Sequence, residues 1–141
     1  MTLQGTKRKV TYVATYEILA FLFGTLGFFG FSDSSLERAS ALAVFGSLFA
    51  VSWNFAYNAL FERWESKLIT RGRGFGRRVI HAVGFEIGFL LVLMPAAAWW
   101  LEISYLHSLV LNLGLNVFFL CYTFAFTWCF DRVFGLPASA E

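Results

Sequence analysis

Four apolar runs, roughly Val10–Phe31, Ala39–Phe61, Val79–Leu101 and Leu106–Phe130, take up most of this 141-residue chain. Each approaches or exceeds the ~20 residues a bilayer-spanning helix needs. Soluble domains carry about 25% charged residues; this chain has 14%, against 58% hydrophobic. The pattern predicts an all-α membrane protein of four transmembrane helices, with too little chain outside them for a soluble catalytic domain. The first run is read as a retained span and not a signal peptide, because it is long, contains Glu17 and lacks a small-residue cleavage site.

Lysine and arginine set the expected topology. Lys7, Arg8 and Lys9 precede the first span. Arg63, Lys67, Arg71, Arg73, Arg77 and Arg78 lie between the second and third, and Arg132 follows the fourth. The other two connections hold Arg38 alone. Positive-inside logic places both termini and the middle loop in the cytoplasm. That loop, short and interrupted by glycine, reads as a lipid-headgroup contact and not as a nucleic-acid site. Cys121 and Cys129 fall within the fourth span and are expected to be buried packing residues.

A displacement of 69 positions superimposes the two halves without a gap: Lys9 on Arg78, Tyr12 on His81, Tyr16 on Phe85, Glu17 on Glu86. In the second spans of each half, Trp53 falls on Tyr122, Asn54 on Thr123, Tyr57 on Phe126, Asn58 on Thr127, Phe61 on Phe130 and Glu62 on Asp131. Matches in both spans at one offset define a repeat. The chain therefore reads as two tandem helical hairpins, residues 1–70 and 71–141, together one membrane domain. Both hairpins start on the same side, so a pseudo-twofold axis along the membrane normal is expected.

Residues four apart share a helix face. Trp53, Tyr57 and Phe61 form an aromatic stripe beside a polar one of Asn54, Asn58 and Glu62. Tyr122, Phe126 and Phe130 lie beside Thr123, Thr127 and Asp131 in the same way. Lys9 and Glu17, like Arg78 and Glu86, lie on similar faces roughly 12 Å apart along the axis. Gly24, Thr25, Gly27 and Gly30 in span one, and Pro95 in span three, suit either a kink or close helix packing.

Glu17 and Glu86 carry the chemistry. An ionisable residue inside a span is a functional candidate. The low dielectric disfavours a bare carboxylate, so such a group can exchange a proton for a cation, the minimum part of a proton-coupled exporter. The alternative is a carboxylate tied permanently to another helix. Aromatic faces beside a carboxylate suit lipophilic cations, which adds Tyr16, Trp53 and Tyr57, with Asn54 and Asn58 as polar neighbours. His81 is read as a hydrogen-bonding group. Trp64, Trp99 and Trp100 read as interfacial anchors. Lys9, Arg78, Glu62 and Asp131 are cytoplasmic-end charges, the last two suited to pairing with nearby arginines or to proton entry. No nucleophile–base pair or metal-ligand set occurs, so neither an enzyme nor a cofactor is expected.

These blocks resemble the proteobacterial antimicrobial compound efflux transporters, also described as bacterial transmembrane pair proteins. The family pattern R-x-x-H-A-x-x-F-E is met by Arg78, His81, Ala82, Phe85 and Glu86. The second-span pattern is met by Trp53, Asn54, Tyr57, Asn58, Phe61 and Glu62. The fourth-span pattern is met by Tyr122, Thr123, Phe126, Trp128 and Asp131, with Thr127 and Phe130 replacing Asn and Tyr. In the first block Lys9, Tyr12, Val13 and Tyr16 replace Arg, His, Ala and Phe, and Glu17 is kept. The resemblance implies inner-membrane, proton-driven export of biocides such as chlorhexidine, acridine dyes and quaternary amines, or of short diamines. It also implies a homodimer, and a drug-binding and proton-coupling role for Glu17. A non-transporting assembly subunit and a passive cation pore are the competing readings.

Overall fold

A computed structural model describes residues 3–70, 72 and 74–135. Four helices follow one another: α1 (Gly5–Gly30), α2 (Leu36–Glu65), α3 (Phe75–Leu101) and α4 (Tyr105–Phe134). Each is long and apolar enough to cross a membrane. They extend past the apolar runs at most ends, because a helix keeps its backbone hydrogen bonds into the interface where its side chains turn polar. Arg71 and Arg73, two of the residues used to orient the chain, lie outside the described residues.

Local signals set the hairpins. Ser35 accepts a hydrogen bond from Arg38 N at 3.2 Å and caps α2. Ser104, its repeat counterpart, accepts from His107 N at 3.1 Å and caps α4. A capping hydroxyl satisfies a backbone donor that the first helical turn leaves open. α3 runs unbroken through Pro95 and ends on Glu102, whose left-handed φ of 56° turns the chain into α4.

α1 packs on α2 and α4, and α3 packs on the same two; the diagonal pairs do not meet among the described residues. This four-cornered ring leaves room along its centre. Phe28, Ala39, Leu42, Ala43, Ala97, Leu101 and Leu111 form a core towards the end that carries both short connections. Close packing accounts for Gly24 and Gly27 of α1, whereas a Cβ on Gly30 would meet nothing within 4 Å. A Cβ on Gly24 would meet Ala43 at 3.5 Å, and one on Gly27 would lie 2.6 Å from Leu115. Outward faces are apolar, with Ile18, Leu48, Phe55, Leu91 and Phe124 exposed, as hydrocarbon contact requires.

Cys121 and Cys129 depart from expectation: both are exposed on the outer face of α4. A sequence pattern marks a span as apolar without saying which of its faces meets lipid.

Candidate functional site: a carboxylate-lined central cavity

Glu17 reaches from α1 to α2, where Ser47 Oγ donates to its Oε2 at 2.9 Å. Glu86 does the same from α3 to α4, where Asn116 Nδ2 donates to its Oε1. Ser47 and Asn116 are repeat counterparts, so each hairpin ties its membrane carboxylate to its own second helix by a neutral donor. Both glutamates are half-buried, and no ion pair among the described residues includes either.

Between the four helices lies a cavity of about 250 Å³. Its wall includes Glu17, Ser47 and Asn116, with Phe21, Phe28, Phe89, Leu93 and Phe119 supplying apolar surface. Glu86 is not on this wall, although its partner Asn116 is. One carboxylate in a mostly apolar chamber is suited to a cation with apolar bulk.

Tyr16 shares that wall. The aromatic stripes otherwise go to the seams between hairpins. Trp53 Nε1 donates to Phe85 O at 3.1 Å and Tyr57 OH to His81 O at 3.0 Å, sealing α2 on α3. Tyr122 OH donates to Tyr16 O at 3.0 Å, the same bond as Trp53's in the other seam. Asn58 Oδ1 meets His81 Nε2 at 2.9 Å, and its counterparts Thr127 and Tyr12 meet at 2.9 Å. Asn54 is exposed and accepts from Asn58 Nδ2 at 3.0 Å. Trp53, Asn54, Tyr57, Asn58 and His81 thus form one cluster on the α2–α3 seam, apart from the wall that holds Glu17 and Tyr16.

Glycine makes the α2–α3 seam possible. A Cβ on Gly88 would lie 2.2 Å from Trp53, and one on Gly84 2.4 Å from the Tyr57 hydroxyl oxygen. The counterpart positions in α1 are Leu19 and Thr15, and the facing rings shrink to Tyr122 and Phe126. The two seams therefore divide their bulk differently, with glycine opposite a large ring in one and a side chain at the equivalent position in the other.

At the end holding both termini, Arg8 pairs with Asp131 and stacks over Phe130, 5.1 Å from its ring centre. The Arg8 side chain is 10% exposed and that of Asp131 26%, so this pair is largely out of water. Lys9 and Glu62 are exposed, as is Arg78. Arg77, the counterpart of Arg8, donates instead to the carbonyls of Thr70 and Gly72. Sequence reasoning missed Arg8, Ser47 and Asn116. The 69-residue offset would have found them, since Arg8 falls on Arg77 and Ser47 on Asn116.

Comparison with known proteins matches the chain twice, at residues 4–67 and 73–136, to the family described as chlorhexidine efflux transporter. The chain belongs to that family. It is a multi-pass membrane transporter and not an enzyme, and the two matches are the two hairpins at the offset read from the sequence. The chain is similar to a short-chain diamines transporter of Acinetobacter baylyi, at 32% identity over 91% of this chain and 90% of the relative. It is similar to one of Vibrio parahaemolyticus, at 41% over 69% and 71%. One of Acinetobacter baumannii is 30% identical over 91% and 88%. No solved structure matches significantly.

Proposed function

We propose that this family member exports organic cations, short diamines and cationic biocides such as chlorhexidine, acridine dyes and quaternary amines among them, in exchange for protons at Glu17. One observation carries the reading: Glu17 stands on the wall of a cavity inside the bundle, held by a hydroxyl and by no cation. Its charge is therefore left for a guest. Deprotonated and facing the cytoplasm, Glu17 pairs with a cationic substrate between apolar walls. Protonation from the outside cancels the charge and releases the guest. Glu86, tied to Asn116 behind the same wall, tunes the site from the second repeat.

The protein sits in the bacterial inner membrane with both termini cytoplasmic. Lys7, Arg8, Lys9, Arg63, Lys67, Arg77, Arg78 and Arg132 gather at one end of the bundle, which supports this orientation. It works as a homodimer. Asn54 is an exposed polar amide within its span, and such groups favour protein partners over lipid.

The test is a proteoliposome assay with an imposed pH gradient, offering chlorhexidine, acriflavine and putrescine. Gradient-dependent uptake of a cation by the parent protein, lost in Glu17→Gln, is expected. Equal flux in the variant, or flux that ignores the gradient, rejects the reading.

A further inference from the structure

Glu86 lies off the cavity wall, yet the residue that holds it lies on that wall. Asn116 lines the cavity, and its Nδ2 donates to Glu86 Oε1. The amide's other end, Oδ1, makes no hydrogen bond among the described residues. Thr25 Oγ1 is the one fully buried, unpartnered side-chain oxygen or nitrogen among the buried and half-buried residues described, so Asn116 Oδ1 is an accessible atom. With Nδ2 drawn behind the wall to Glu86, Oδ1 is the end of the amide left for the cavity.

The repeat shows what the amide adds. Ser47, the counterpart of Asn116, gives its single proton to Glu17, and there the carboxylate itself lines the cavity. In the second hairpin the carboxylate is set back and an amide takes its place on the wall. An amide offers both a donor and an acceptor. Glu86 decides which of them is free. Ionised, it only accepts: it takes Nδ2–H and leaves Oδ1 to a guest. Protonated, it also donates: its O–H bonds Oδ1 while its other oxygen keeps Nδ2–H, and Oδ1 is lost to the guest. The proton comes from water and returns to it.

Few other titratable groups share this region. Glu17 and Tyr16 stand on the same cavity wall. On α2, Phe49 and Trp53 are the side chains that meet Phe85 and Phe89 beside Glu86. On α3, His81 lies more than one helical turn away; its ring is bonded to Asn58 and its carbonyl to the Tyr57 hydroxyl. α4 carries no Lys, Arg, Asp or Glu before Asp131, and its Tyr122 is turned to Tyr16 on the other seam. The cavity, at about 250 Å³, is smaller than pockets that enclose drug-sized ligands, so one guest meets both the Glu17 and the Asn116 walls.

We infer that Asn116 is a relay between a second proton site and the guest: it offers Oδ1 to an ammonium N–H while Glu86 is ionised, and gives Oδ1 to Glu86 once that group takes up a proton. Guests that carry N–H, such as primary amines and diamines, feel the Glu86 proton. Quaternary ammonium ions have no N–H and do not. The inference rests on Glu17 as the cation site and adds to it a second proton that acts only on one class of guest.

Binding is measured by titration calorimetry on full-length protein in nanodiscs, from about pH 5 to about pH 9, with putrescine and tetramethylammonium as probes. The parent is compared with Asn116→Leu, which keeps the volume of the amide. At the alkaline end putrescine should bind the parent about tenfold more tightly, the value of a hydrogen bond to a charged donor, and this advantage should vanish at the acid end. With Glu86→Leu added to both proteins, the advantage should be the same at both ends. Tetramethylammonium should bind the parent and Asn116→Leu alike throughout. An advantage that is absent, or constant with pH, overturns the relay, as does a pH dependence that survives Glu86→Leu or that tetramethylammonium shares. Glu17→Gln tests the site itself: unchanged putrescine binding there rejects Glu17 as the cation site, and the Asn116→Leu comparison still decides the relay. Should Asn116→Leu not fold, Asn116→Ser, which copies Ser47 and removes Oδ1, is read in the same way.

Discussion

Glu17 and Glu86 are equivalent by repeat and unequal by position: both are tied to the following helix, by Ser47 and Asn116, yet only Glu17 lines the central cavity. Duplication supplied two carboxylates, and the bundle placed one of them where a guest can reach it.

This inequality predicts different costs for the same substitution. Removing one partner of a desolvated charge pair costs upwards of 2 kcal/mol, about thirtyfold in affinity. Glu17→Gln should therefore lose at least about thirtyfold in putrescine binding by titration calorimetry. Glu86→Gln should lose no more than about threefold, because its amide still reaches Asn116. Equal losses would mean that both carboxylates contact the guest.

Gly88 and Trp53 form an interlocked pair. Gly88→Ala places a methyl group within 2.2 Å of the indole, and overpacking of this kind costs about 1–3 kcal/mol. Thermal unfolding in detergent should register that loss. Adding Trp53→Tyr copies Tyr122, the smaller ring at the equivalent position of the second hairpin. It should restore most of the stability, although Trp53→Tyr alone opens a void. A double variant no more stable than Gly88→Ala would show that the two seams are not packed by the same rule.

The same seam shows how far the sequence could be read. Period and composition were enough for four spans, and one offset was enough for the tandem hairpins, because both are properties of residue order. The aromatic stripe was visible as a stripe on α2. Its direction was not, since Trp53 and Tyr57 are placed by Gly84 and Gly88 on another helix, and no local signal joins them. The carboxylates stood out because charge in a span is rare. Ser47 and Asn116, their donors, are ordinary small polar residues that gain meaning only across a helix pair. Likewise Lys9 matched the motif, but Arg8, one residue away and so about 100° around the helix, faces Asp131.

Arg8 and Asp131 close the α1–α4 seam at the end that carries both termini. Breaking a partly buried pair by removing one side leaves the other charge desolvated. Arg8→Ala should cost about 2 kcal/mol, within the range for hydrogen bonds to charged groups. Lys9→Ala, at an exposed position, should stay within about 0.5 kcal/mol. Unfolding midpoints of the two variants in one detergent make the comparison. Matching losses would place the seam's charge at Lys9 as much as at Arg8.

Cys121 and Cys129 report on depth. Both thiols are exposed on the outer face of α4, but they sit at different distances from its end at Phe134. Cys129 lies roughly 7 Å from that end and Cys121 roughly 20 Å, near the middle of a ~30 Å hydrocarbon layer. Alkylation proceeds through the thiolate, which requires water. In sealed vesicles a water-soluble maleimide should modify Cys129 slowly, and only from the side that carries the termini. Cys121 should resist until the protein is moved into a short-chain detergent, where its rate should rise at least tenfold. Mass spectrometry of single-cysteine variants separates the two sites. Rapid labelling of Cys121 in intact vesicles would mean that the α4 outer face meets water, which a lipid-facing surface cannot do.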